Sequence, residues 1–295
     1  MSDYTLKIAF IGLGAMGTAM VERLLLAHYS VTVFNRSPEK ILPLVKLGAH
    51  ASESIATAVA HADVVLTCLL DDHAVLDVTR DMLVGLPAGA IHVGLSTILP
   101  ETAEIVQKLH QASHSHYVAA AVLGVPIAVR AGKLTAFCAG DQSSVETITP
   151  LLATFAEKII LLGDENDIKA PNFMKICINY SLMTALELMS ELYVFAEKSA
   201  VSQSVVKMAL EQIYAHSAFT RYIDKIATRD FDNVNFAMTG GEKDAKIFLK
   251  AFTEVGVKPE LGNLLQTRFQ KAIATGLEKK DWSAIYEVVR TEAGL

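Results

Sequence analysis

Three glycines near the start of the chain, Gly12, Gly14 and Gly17, fall in the spacing G-x-G-x-x-G. An apolar run from Ile8 to Ile11 precedes them, and residues 18–27 follow with helical spacing. In that setting the first glycine permits a tight turn and the second lets backbone approach a pyrophosphate. The third lets the helix pack closely on the strand. The free N–H groups and positive dipole end of the helix complete an anion site. The stretch Gly12, Leu13, Gly14, Ala15, Met16, Gly17 therefore predicts a cradle for a dinucleotide.

The end of the next apolar run, Val31 to Phe34, bears on which dinucleotide. An acid there would grip a ribose 2′-hydroxyl, whereas an arginine accommodates a 2′-phosphate. Neutral Asn35 is followed instead by Arg36 and Ser37, whose guanidinium and hydroxyl are donors suited to a phosphate. The expectation is NADP(H), against the plain alternative of a solvated loop arginine.

Lys175 and Asn179 stand at i and i+4 and share one face of a predicted helix. A lysine among Phe173, Met174, Ile176, Cys177 and Ile178 is unusual, because burying its charge is costly. A lowered pKa or a wet cleft would resolve the conflict, and snorkelling of the ammonium to solvent is the alternative. Ser96 and Thr97 follow another apolar strand and precede Pro100 and Glu101. They read either as helix caps or as ligand contacts at a strand end. His110, His114 and His116 lie among Gln111, Ser113 and Ser115 with no acid in register, and read as a solvated loop rather than a metal cluster.

Alternating strands and helices must position these groups. Residues 63–70, 90–95, 117–121, 134–140 and 158–163 read as further strands, with helices over 38–47, 54–61 and 143–155 among the connections. This predicts an α/β fold, a Rossmann-type doubly wound parallel sheet over residues 1–163. Ligands bind such sheets beyond the carboxyl ends of strands, which puts Cys68, Leu69 and Leu70 on the cofactor wall. After Gly163 the strand signals stop. Residues 164–295 predict an all-α C-terminal domain, opening with a long interdomain helix over 168–201 whose apolar face is Met174, Ile178, Leu182, Ala185, Leu186 and Met189. Helices over 204–215, 218–229, 241–255, 262–275 and 283–290 follow, with an irregular loop over 233–241.

Composition narrows the function classes. The chain has 295 residues, 52% of them hydrophobic, and a net charge of −6 without a basic cluster, which argues against nucleic acid as a partner. Cys68, Cys138 and Cys177 are odd in number and far apart, which fits a reducing compartment and excludes a cysteine-based zinc site. Asp3 and an early strand argue against a signal peptide, and no apolar run is long enough for a membrane span. A cytoplasmic enzyme acting on a small molecule, with no metal, is the expectation.

Taken together, the motifs resemble the β-hydroxyacid dehydrogenase family, which includes 3-hydroxyisobutyrate dehydrogenases and is akin to 6-phosphogluconate dehydrogenases. Gly12-Leu13-Gly14-Ala15-Met16-Gly17 is similar to the family's G-L-G-x-M-G. Ser96 to Pro100 resembles S-T-x-S-P, with Leu99 in place of serine. Lys175-Ile176-Cys177-Ile178-Asn179 resembles the helix of the catalytic lysine and the asparagine one turn later. Lys243-Asp244 resembles a K-D pair whose lysine closes over the nicotinamide, and Asp281-Trp282-Ser283-Ala284 is similar to the D-x-S-A ending.

The resemblance implies hydride transfer between nicotinamide and substrate, with Lys175 as general acid or base, Asn179 orienting it, and Ser96 and Thr97 against nicotinamide or substrate. It also implies a homodimer. The family's substrate loop D-A-P-V-S-G-G is here Ala119 to Val125, so Leu123 replaces the serine and Val125 the second glycine of a group that would hold a carboxylate, while Gly124 is kept. Leucine cannot hydrogen-bond one, and the pocket becomes smaller and drier. Leu182 replaces the acid of 6-phosphogluconate dehydrogenases, which argues against decarboxylation. Reduction of a small carbonyl compound is the leading expectation. An imine reductase is the nearest rival, and a non-catalytic NADP-binding protein is a third possibility.

Overall fold

The computed structural model describes residues 6–198, 200–213, 217–254 and 259–295. Asp3 and the ends of the helices expected over 204–215 and 241–255 lie outside the described residues. The contact pattern divides the chain within one long helix, into Met1–Ile176 and Cys177–Leu295.

The first unit is built from β1 (Ile8–Ile11), α1 (Ala15–Leu26), β2 (Val31–Phe34), α2 (Leu42–Val45), β3 (His50–Ala51), α3 (Ile55–Val59), β4 (Val64–Thr67) and α4 (Asp72–Leu83). It continues with β5 (Ile91–Gly94), α5 (Pro100–Ala112), β6 (His116–Leu123), α6 (Pro126–Arg130), β7 (Leu134–Ala139), α7 (Gln142–Leu152), β8 (Ala156–Gly163) and the start of α8 (Ala170–Lys198). The eight strands form one sheet in the order β3-β2-β1-β4-β5-β6-β7-β8. Pairing is parallel except between β6 and β7. This is the doubly wound Rossmann-type sheet that the strand–helix alternation predicts.

Every residue of β1 and β4 is buried, as strands covered by helices on both faces require. β1 lies between β2 and β4, so the order of strands reverses beside it, where such sheets leave a crevice for ligands. The ladders run on into the turns. Gly12 N donates to the Phe34 carbonyl at 3.1 Å, and Cys68 N to that of Ile11 at 3.0 Å.

Two local expectations in this unit need correction. The helix expected over 38–47 is a 3-10 turn, Pro38–Lys40, followed by the short α2. Pro43, which has no N–H to donate, keeps the segment from continuing as one helix. The strand β3 is only two residues long and carries no apolar pattern, which is why periodicity misses it.

The second unit takes up α8 and continues through α9 (Gln203–Ile213), α10 (Ser217–Thr228), α11 (Met238–Glu254), α12 (Glu260–Ala274), the 3-10 turn Trp282–Ala284 and α13 (Ile285–Glu292). No strand occurs among its described residues. Along α8 the buried stripe is Ile176, Asn179, Met183, Leu186, Ser190 and Tyr193, stepping by three and four residues. Of the expected face, Ala185, Leu186 and Met189 are buried and Ile178 and Leu182 half-buried, while its first member, Met174, is exposed.

The loop expected over 233–241 ends early, because α11 already begins at Met238. Asp281, fully buried, accepts from Asn235 N at 2.9 Å, from Ser283 N at 3.1 Å and from Ser283 Oγ at 2.6 Å, with Lys225 Nζ 3.6 Å away. That carboxylate pins the approach to α11. Gly240 and Gly241, which resemble loop signals, are close-packing sites inside the helix, since a Cβ on Gly241 would stand 2.7 Å from the Phe269 ring.

Candidate active site

The glycine turn has two glycines fixed by the protein and one left open. Gly12 has φ +98°, and a Cβ there would lie 2.3 Å from the Cys68 carbonyl oxygen. A Cβ on Gly17 would lie 2.0 Å from the Gly12 carbonyl oxygen, so strand and helix meet backbone to backbone. Gly14 sits at the N-cap of α1, is exposed, and has nothing within 4 Å of its Cβ position. The open glycine at a helix N-terminus is the place where a phosphate fits. Leu13 is buried, Ala15 exposed and Met16 half-buried.

Asn35 has a task here that the motif does not announce. Its Oδ1 accepts from Leu13 N at 2.8 Å and its Nδ2 donates to the Ser37 carbonyl at 3.0 Å. The side chain thus ties the glycine turn to the segment carrying Arg36, which is exposed, and Ser37, which is half-buried.

Cys68 and Leu69 are half-buried and Leu70 is exposed beyond the end of β4. The buried Ser96 holds this segment by accepting from Leu69 N at 2.8 Å. Of the two readings left open for Ser96 and Thr97, capping of α5 is excluded. The N-cap is Leu99, whose N–H goes to Asp72 Oδ1 at 2.9 Å. Asp72, adjacent to the Asp71 that caps α4, had no signal in the motif.

Lys175 lies in the second turn of α8, half-buried, and donates from Nζ to the Val122 carbonyl at 2.8 Å. Residues 53 positions apart are so brought together, and the ammonium reaches the end of β6 beside Leu123. Leu123 is half-buried and Gly124 exposed with φ +140°, where a Cβ would strike the Leu134 side chain at 2.3 Å. In the second unit Asn179 is buried, and Lys243 Nζ stands 2.6 Å from the carboxylate of buried Asp244.

The histidine reading requires the largest correction. His114 and His116 are exposed, but His110 is fully buried on α5. It belongs to a chain through the interior. Thr67 Oγ1 and His92 Nε2 are 2.9 Å apart, His92 Nδ1 and His110 Nε2 2.8 Å, and His110 Nδ1 and Ser115 Oγ 2.8 Å. Ser115 Oγ in turn donates to the His110 carbonyl at 3.3 Å. Burial, reinforced by the neighbouring His110, holds the His92 pKa well below its ordinary value. Burial, with the charge of His116, lowers that of His110 to about 4. Both imidazoles are neutral at pH 7. The polar residues around 110–116 disguise this chain, because only one of the three histidines faces inward.

Among the described residues no group of three or more His, Cys, Asp or Glu side chains is arranged to hold a metal, and no helix is long and apolar enough to cross a membrane.

The turn, its helix N-terminus and the topology define a nucleotide-binding fold of the Rossmann class. Residues 7–163 match the family described as the NAD binding domain of 6-phosphogluconate dehydrogenase, and 170–289 the family described as the NAD-binding domain of NADP-dependent 3-hydroxyisobutyrate dehydrogenase. The uncharacterized oxidoreductase YfjR of Bacillus subtilis is 32% identical, covering 97% of this chain and 100% of that protein. The structure of a Mycobacterium tuberculosis 3-hydroxyisobutyrate dehydrogenase with L-serine is similar at TM-score 0.85 and 26% identity, covering 97% of this chain and 99% of that one. A structure of Psf3 with NADP+ and 2-OPP is similar at TM-score 0.84 and 25% identity, over 96% and 99% of the two chains. The chain belongs to the β-hydroxyacid dehydrogenase family, and is an NAD(P)-dependent oxidoreductase.

Proposed function

We propose that this protein is an NADP-dependent reductase of small carbonyl compounds, with Lys175 as the proton donor. The observation that carries the reading is the 2.8 Å hydrogen bond from Lys175 Nζ to the Val122 carbonyl. A neutral carbonyl fixes the position of an ammonium without taking its proton, so a donor stays in place at the end of β6. The cofactor, when bound, supplies the hydride. Gly14, in the turn shaped by Gly12 and Gly17, would hold its pyrophosphate, and the exposed Arg36 with Ser37 would take the 2′-phosphate. The similar Psf3 structure contains NADP+, which supports the same choice.

Lys175 gives its ammonium proton to the oxygen of the substrate as the carbonyl carbon is reduced, and regains one from solvent. General acid catalysis of this kind contributes about 10² to 10⁴-fold. Asn179, one turn further along α8, orients Lys175 or the substrate. Ser96 keeps Leu69 in place on the cofactor wall. Leu123, Val122 and Val125 favour a substrate whose flank at this loop is uncharged. Leucine gives a carboxylate no hydrogen bond, and desolvating an unpaired charge is costly.

The test is oxidation of NADPH and of NADH by the purified protein against aldehydes, 2- and 3-oxo acids and cyclic imines. Turnover of aldehydes with NADPH supports the proposal. Turnover of imines alone would replace the carbonyl reading with an imine reductase, and cofactor binding with no turnover would indicate a non-catalytic protein.

A further inference from the structure

Residues 69–72 and 96–99 follow the carboxyl ends of β4 and β5, and the two segments are braced to each other at both ends. Leu69 N donates to Ser96 Oγ at 2.8 Å, and Leu99 N donates to Asp72 Oδ1 at 2.9 Å. Each segment gives one backbone N–H and one side-chain oxygen to the other. The brace closes on apolar side chains. Val75, one turn along α4 from Asp72, and Ile98, beside Leu99, lie in one buried cluster, and Leu69 packs against it.

The start of α4 does not account for the Asp72 carboxylate. Asp71 caps that helix, its Oδ1 accepting from Ala74 N at 2.8 Å. Helix α5, by contrast, has no cap of its own. Leu99 at its N-cap makes no side-chain bond, and Pro100 after it has no N–H. Leu99 is 7% exposed, so without Asp72 its N–H would be a buried donor left unpaired, which is costly. In a capping box that N–H is met from within the same helix, whereas here α4 supplies the acceptor. The negative charge also suits the positive end of the α5 dipole.

Its place in the sheet says what the brace serves. A dinucleotide crosses such a sheet where the strand order reverses, with one half on each side. Here β2 lies on one side of β1, and β4 and β5 on the other. Arg36, past the end of β2, takes the adenosine half, so the nicotinamide half falls to β4 and β5. This step rests on the reading of Arg36 as the 2′-phosphate site. We infer that Asp72 is a positioning residue for the nicotinamide half of the cofactor. By holding Leu99 N it sets the gap between Leu69 and Leu70 on one wall and Ser96 and Thr97 on the other. It acts through these two segments and not by touching the cofactor.

The experiment compares the full-length wild type with Asp72→Ala and Asp72→Asn. Calorimetry gives the Kd for NADPH and for adenosine 2′,5′-bisphosphate, which carries the adenosine half alone, and the melting temperature is recorded beside them. Asp72→Ala should raise the Kd for NADPH about tenfold and leave that for the bisphosphate within about twofold. Asp72→Asn should stay within about threefold of wild type for both, because its amide oxygen still accepts from Leu99 N. A general loosening of the fold weakens both ligands together, so equal losses in Asp72→Ala would overturn the inference. An unchanged Kd for NADPH would overturn it too, as would an Asp72→Asn as weak as Asp72→Ala. Both affinities are read on folded protein, so a lower melting temperature does not blur their ratio. A wild type that binds NADH more tightly than NADPH overturns the reading of Arg36 instead, and the same ratio is then taken with NADH against AMP.

Discussion

His92 Nδ1 and His110 Nε2 lie 2.8 Å apart in the interior of the first unit, and the chain they form has one direction. Ser115 gives its hydroxyl proton to the His110 carbonyl, so its oxygen accepts from His110 Nδ1–H. A neutral His110 then accepts at Nε2 from His92 Nδ1–H, and His92 accepts at Nε2 from Thr67. In this arrangement every member is satisfied with both rings uncharged.

A pH dependence follows from this. A histidine whose folded pKa lies below its unfolded value stabilises the fold fully above about pH 6.5, and the contribution is lost as pH falls toward the folded value. For His110, lowered to about 4, the loss is on the order of 3 kcal/mol across that window. Urea unfolding of the wild type should weaken between pH 6.5 and 5, more steeply than that of His110→Gln, whose amide does not titrate. Equal pH dependence in the two proteins would refute the assignment.

The glycine turn separates stability from binding. Gly17→Ala forces a Cβ against the Gly12 carbonyl, so melting temperature and NADPH affinity should both fall. Gly14→Ala meets no protein atom, and its φ of −69° suits any residue. The variant should melt within about 2 °C of wild type, while NADPH binding followed by fluorescence weakens more than tenfold because the methyl group stands where phosphate approaches. Unchanged affinity in Gly14→Ala would mean that the cofactor does not approach this glycine.

Cofactor choice is tested at Arg36. Arg36→Asp replaces the exposed guanidinium with a carboxylate that repels a 2′-phosphate and can bind a ribose 2′-hydroxyl. The ratio of kcat/KM for NADPH over NADH should fall at least a hundredfold. Asn35 is a poor position for this test, since its amide secures Leu13 and Ser37. An unchanged ratio in Arg36→Asp would remove the basis for NADP.

The substrate loop is tested at Leu123. Leu123→Ser introduces a donor beside the carbonyl that holds Lys175, and should lower KM for a small oxo acid about tenfold relative to the matching aldehyde. No change in the ratio of the two substrates would show that this loop does not read the substrate's charge.

What could be read from residues alone was whatever repeats or has a fixed spacing. The apolar runs of β1 and β4 announce a buried parallel sheet, and Gly12, Gly14 and Gly17 announce the turn beside it. Contacts between distant segments leave no such trace. Nothing local marks the Val122 carbonyl as the partner of Lys175, Ser96 as the holder of Leu69, or His92 as the inward neighbour of His110. Glycine also has two readings, a loop breaker or a site of close packing, and Gly240 and Gly241 took the second because Phe236 presses on the one and Phe269 on the other. Asp281 belongs to a motif, but its buried carboxylate, which starts α11, becomes apparent only when residues 225, 235 and 283 are gathered around it.

The central claim is that the ammonium held at Val122 is the proton donor. It is tested most directly by the turnover number of Lys175→Ala with NADPH and the best carbonyl substrate, measured beside NADPH affinity. The account predicts a fall in kcat of about 10² to 10⁴-fold with cofactor binding retained. A turnover number equal to that of the wild type would contradict it.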